Sequence, residues 1–189
     1  MTDIGALYLS EIRQRMRLSK ELGDRALAQL PPDSWHKTLA PEGNSAAVLV
    51  QHVAGNLRWR WGGLRGGYLP GVEAEPAERR RDTEFEDTAR PADELLAGWE
   101  EGWQIFLDAL DHLTPADLAR PLTIRGEPYT VLAAVERGAL HIHGHMFQLV
   151  LLVKTLRGAD FETLSIPRGG SDAYNAEMRE QQGADTNGA

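Results

Sequence analysis

The sequence has no cysteine among its 189 residues. That excludes disulfides, thiolate metal ligands and a cysteine nucleophile, and it leaves the redox compartment undetermined. Long apolar runs are missing too. No stretch approaches the roughly 18 uninterrupted apolar residues of a membrane span. The start, Met1 to Leu9 followed by Glu11, Arg13 and Arg15, lacks the charged beginning, apolar middle and small-residue cleavage site of a secretory signal. The expected location is the cytoplasm. Positive charge is also short: 20 Lys and Arg against 28 Asp and Glu leave a net charge of −8 with His neutral. An acidic surface repels phosphate backbones, which argues against nucleic acid as a partner.

What is present is a globular composition, 42% apolar, with enough length for one core. Four segments show helical periodicity. The first runs from about Thr2 to Leu30, with Ile4, Tyr8, Ile12 and Met16 at steps of four, and Pro31-Pro32 stops it. The second starts at the N-cap candidates Asn44 or Ser45 and runs to Trp61 before Gly62-Gly63. A polar stretch rich in glycine and proline follows to about Arg90. It is either a solvated connector or a functional loop.

The third helix opens at Pro91 and carries Leu96, Trp99, Trp103, Phe106, Leu110 and Leu113 on one stripe. Leu122-Thr123-Ile124 and Tyr129-Thr130-Val131 flank Arg125-Gly126-Glu127-Pro128, which predicts a small β-hairpin or an extended loop. The fourth helix runs from about Thr130 to Leu156, with Gly158 available as a left-handed cap. The tail from Ala159 is polar and is expected to wrap the surface. This pattern predicts an all-α fold, an antiparallel four-helix bundle forming one domain over residues 1–180, with 181–189 disordered.

The chemistry-bearing residues are histidines. His141 and His145 stand at i and i+4 on one face of the fourth helix, in a stripe with Ala134, Gly138, Gln148, Leu149 and Leu152. His143 lies about 200° around from His141, at 3.6 residues per turn, and should face away. His52 shares a face of the second helix with Val48, Leu49, Gly55, Asn56 and Trp59. A lone inward histidine is usually a hydrogen-bonded core residue. A pair on an apolar face is costlier, because two imidazoles lose solvation unless something uses their lone pairs. Three inward imidazoles on facing helices therefore point to a divalent metal with open positions, the pattern of catalytic rather than structural sites. Zinc and nickel suit the donors best; iron, manganese and copper remain open. His36 and His112 lie near helix ends and should be exposed.

With these residues placed, the chain resembles the DinB-like, or YfiT-like, superfamily and more closely an uncharacterised branch of it. The match rests on Asn44-Ser45 with Leu49, His52, Gly55-Asn56-Leu57 and Arg58; on Arg81-Asp82 and Glu84-Phe85; on His141, His145 and Gln148; and on Leu164 to Gly169. The resemblance implies a four-helix bundle binding a divalent metal through one histidine of the second helix and two of the last. It also implies a metal-dependent enzyme that uses a low-molecular-weight thiol, as a thiol S-transferase. The alternatives are a metal-dependent hydrolase and a non-catalytic metal-stabilised stress-response or binding module. The partner would be a small-molecule substrate, with a homodimer as the expected assembly.

Asn56, Gln148 and Arg58 are the candidates for orienting a ligand. Arg60 and Arg79 to Arg81 could hold an anion, against a plainer role in surface pairing with Glu84, Glu86 and Asp87. Two departures from the superfamily matter. Ile142 stands where many members carry an acid, and Phe147 where many carry glycine, which would narrow the pocket if it pointed inward.

Overall fold

The computed structural model describes residues 3–62 and 79–186, with side chains as far as 181. Residues 63–78 of the expected irregular stretch lie outside the described residues. The described chain forms four long helices and a hairpin: α1 (Ile4–Leu27), α2 (Ala46–Trp61), α3 (Ala92–His112), β1 (Pro121–Ile124), β2 (Glu127–Thr130) and α4 (Val131–Arg157). The expected all-α four-helix bundle is the observed architecture. None of the described helices is long and apolar enough to cross a membrane.

Local chemistry sets the boundaries. Asp3 caps α1 through bonds from the amides of Gly5 and Ala6. Ser45 caps α2 by accepting from the Val48 amide, which decides between the two N-cap candidates. Thr130 ends β2 and caps α4 in the same way, so the hairpin hands the chain straight into the last helix. The hairpin pairs Leu122 with Tyr129 and Ile124 with Glu127, and its turn puts Arg125 and Gly126 at positive φ. Gly158, at φ 66°, closes α4.

The stripes run as the periodicity requires, with two shifts. On α1 the buried set is Leu9, Ile12, Met16, Ser19, Gly23 and Ala26, while Ile4 is exposed. On α3, Leu95 rather than Leu96 joins Trp99, Trp103, Phe106 and Leu110 in the core. Ile4 is the first residue of α1, whereas Leu95 and Leu96 are neighbouring positions of which the packing buries the first. The tail differs more. Ser171–Thr186 forms a further helix, α5, where a surface-wrapping tail with a disordered end at 181–189 is expected. Residues 187–189 lie outside the described ones.

Close packing of α2 on α3 depends on Gly102. A Cβ there would meet the Ala54 carbonyl oxygen at 2.8 Å. The segment after residue 78 returns to α2 as a single 3-10 turn, Arg81–Phe85.

Candidate metal centre

His52 lies deep in α2, 1% exposed, and His141 and His145 approach it from α4. The ring centroids of His52 stand 5.2 Å from His141 and 4.9 Å from His145, and the α4 pair is 4.5 Å apart. One nitrogen from each ring lies within 4.8 Å of the other two, near enough for small side-chain rotations to bring all three to one ion. His143 turns to the other side of α4, into a groove with Tyr8, Glu11 and Arg15 of α1, as helical phase requires.

The tautomers follow from the outer partners. His52 Nδ1 lies 2.9 Å from a Glu84 carboxylate oxygen. Arg79 donates two bonds to the same carboxylate, at 3.0 and 2.8 Å. Burial raises the Glu84 pKa, but bonds from His52 and Arg79 outweigh it and hold the group below its ordinary value. The carboxylate is therefore ionised and accepts from His52 Nδ1–H, which leaves Nε2 as the ring nitrogen that Glu84 does not engage. That Nε2 is buried with no hydrogen-bond partner among the described residues, and so is His141 Nε2. His145 Nδ1 donates to Gln148 Oε1 at 3.1 Å, which leaves its Nε2 free as well. Buried polar atoms are nearly always satisfied. Two orphaned nitrogens converging with a third make a donor set that suits a borderline divalent ion.

Charge state agrees. Burial, then the neighbouring His145 and His52, then Arg60 and Arg137, push the His141 pKa down to about 3. Burial and His52 lower His145 also, against the raising effect of Gln148. Both rings are neutral near pH 7, as ligands must be. His141 and His145 are each partly exposed, whereas His52 is buried.

The remaining expectations divide. Gln148 touches His145 directly. Asn56 is buried one turn beyond His52. Arg58 is half-exposed and pairs with Glu101 at 3.2 Å, in a cleft of about 690 Å³ between α2 and α3 that the histidines do not line. Phe147 is 66% exposed and does not narrow the centre. Gly138 is packed by the Trp61 indole, 3.1 Å from where a Cβ would sit. Trp61, Trp99 and Trp103 are core, whereas Trp59 is partly exposed on the cleft. His36 and His112 are exposed, as expected.

Sequence reasoning misplaced Glu84 and Arg79. They pair, but in the interior behind His52 rather than on the surface. The signal was Ile142: an acid absent from α4 left the question of which carboxylate serves the histidines, and Glu84-Phe85 was the acidic motif at hand. Gly55 makes that answer possible, because a Cβ there would come within 2.6 Å of the carboxylate. Phe85 then lays its ring 4.4 Å from His52, and Arg81 sits 4.7 Å over Phe85.

A family model described as protein of unknown function (DUF1572) matches residues 3–170, a span that contains the triad, Glu84 and Gln148. The chain belongs to this family. Among solved structures, the DUF1572 chain is similar to YfiT from Bacillus subtilis, described as a probable metal-dependent hydrolase with an unusual four-helix bundle topology. The two are 17% identical, with a TM-score of 0.63 over 78% of this chain and 87% of that one. That likeness is one of fold, and the four-helix bundle is the fold that the sequence resemblance implied. No curated protein matches the chain.

Proposed function

We propose that this DUF1572 protein binds one divalent metal, zinc or nickel before iron, manganese or copper, through His52, His141 and His145. We propose further that it works as a metal-dependent enzyme on a small molecule. The observation that carries the reading is the pair of buried, unpartnered Nε2 atoms on His52 and His141, made ligand-ready by Glu84 behind one ring and by burial around the other. An ion there would supply a Lewis acid with open positions, able to favour the ionised form of a thiol or of water.

Between those two nucleophiles, the thiol is the first choice. Glu84 is engaged by His52 and Arg79, and Ile142 is a buried apolar core residue rather than an acid. A thiol, with an ordinary pKa near 8.5, needs little help to ionise, and a cosubstrate thiol serves a chain with no cysteine of its own. The protein residues have defined parts in this scheme. Glu84 and Gln148 fix ring orientation, Phe85 covers one face of His52, and Asn56, buried one turn beyond His52, would orient a ligand. Hydrolysis is the second reading, supported by the description of YfiT. A homodimer belongs to the proposal as well, with the exposed Leu140, Phe147 and Leu151 of α4 as an apolar stripe for contact.

The test is elemental analysis of protein purified without a metal-affinity tag, followed by thiol conjugation and ester hydrolysis assays on zinc- and nickel-loaded samples. One equivalent of metal and metal-dependent conjugation are expected. Sub-stoichiometric metal after loading overturns the metal reading. Full loading with hydrolysis alone moves the assignment to the second reading.

A further inference from the structure

The charges around the triad run against those of the chain as a whole. Acids outnumber bases by 28 to 20, yet the charged groups that act on His141 and His145 from outside the triad are arginines: Arg60 and Arg137 on the first, Arg81 on the second. The acid that reaches the triad, Glu84, is already matched by Arg79.

Two of these arginines are placed to touch a ligand. Arg137, His141, His145 and Gln148 fall on one stripe of α4, with Arg137 one turn before the first ligand. Arg137 is partly buried and forms no salt bridge among the described residues. Arg81 stands at the other side, its guanidinium 4.7 Å over Phe85, whose ring covers His52. Its acidic contact is its chain neighbour Asp82, at 3.4 Å and 98% exposed, a pair that water largely screens. Arg60 is 3% exposed, so it adds field rather than a contact.

Resting on the metal reading above, we propose that the centre takes a substrate bearing an oxyanionic group, carboxylate or phosphate, which Arg81 and Arg137 grip while another atom of the substrate meets the metal. Guanidinium forks match such planar or tetrahedral oxyanions through paired N–H donors. A cluster of one sign beside partly buried walls also draws such a ligand in against the repulsion of an acidic protein. Neutral small molecules would gain none of this.

The experiment uses the full chain loaded with cobalt(II), whose visible spectrum reports both metal occupancy and a ligand entering the metal's shell. Three probes are titrated: 2-mercaptoethanol, 3-mercaptopropionate and thiophosphate. At least one anionic probe should bind about ten-fold tighter than the neutral one. The stronger of the two names the oxyanion class, and sodium chloride should erode the preference. In Arg81→Gln and Arg137→Gln the preference should shrink several-fold while cobalt affinity is retained, which also shows that the variants fold. Equal binding of neutral and anionic probes overturns the inference, as does a preference untouched in both variants. Failure of the cobalt spectrum to develop in the wild-type chain is a different result and overturns the metal reading instead.

Discussion

At the scale of single residues, the centre is a chain of hydrogen bonds ending in lone pairs. Arg79 holds Glu84, Glu84 holds His52 Nδ1, and His52 Nε2 is left to bind. Outer partners of this kind typically change metal affinity by about 10–100-fold when removed. Glu84→Gln should therefore weaken zinc binding by about that factor in competition with a chromophoric chelator. It should also destabilise the fold, since unmatching a buried ion pair costs about 3–5 kcal/mol. An unchanged zinc affinity would show that His52 needs no carboxylate behind it. Alanine in place of His52, His141 or His145 should cost more than Glu84→Gln. His143→Ala should leave zinc binding intact, because His143 faces α1; a loss there as large as at His141 would contradict the register. The three histidines and Gln148 could be read from spacing because a helix converts sequence distance into angle. Glu84 could not, because a loop carries no such rule.

Elements explain how that loop residue reaches the interior. The Arg81–Phe85 turn approaches α2 at Gly55, where the missing side chain leaves the space the carboxylate fills. In Gly55→Ala the new Cβ would need the space of a group already fixed by two partners. Overpacking of this kind costs about 1–3 kcal/mol, a loss of several degrees in Tm for a chain of this size. Zinc affinity should fall alongside, with helix content by circular dichroism unchanged. A variant of wild-type zinc affinity would mean that the turn moves freely and does not support His52. Helix positions were legible for the same reason as the histidines: Ser45, Thr130, Pro91 and Gly158 mark the ends of stripes with a fixed period. The misreadings lie where period gives no answer. Ile4 opens α1 and is exposed, and steps of three and four back from Trp99 reach Leu96 and Leu95 alike, of which the fold buries Leu95. Ser171–Thr186 is helical although its side chains as far as residue 181 are almost all exposed, so no apolar stripe announced it.

For the whole molecule, the lowered pKa values of His141 and His145 tie stability to pH. An unfolded histidine takes a proton near pH 6.5, whereas His141 in the fold does so only near pH 3, and His145 is lowered too. Between those values the unfolded chain binds more protons, so stability of the metal-free protein falls as pH falls. Glu84, Asp87 and Asp117 act with the same sign in a lower pH window. Their folded pKa values lie below the ordinary 4.5 and 3.8, so their contribution is complete above those values and disappears only in stronger acid. The window from pH 7 to pH 5 therefore reads the histidines. The Tm of chelator-treated protein should drop by a few degrees across it, and the drop should be smaller in His141→Gln, which has no proton to gain there. On the proposed reading zinc should bind the folded state and raise Tm at pH 7, by about 4 kcal/mol of added stability at a thousand times its Kd. That gain should shrink toward pH 5, where ligands released on unfolding are held by protons instead. A metal-free Tm that stays level from pH 7 to pH 5 would mean that His141 and His145 exchange protons in the fold as freely as in water, and a site of that kind would not hold its lone pairs ready for an ion.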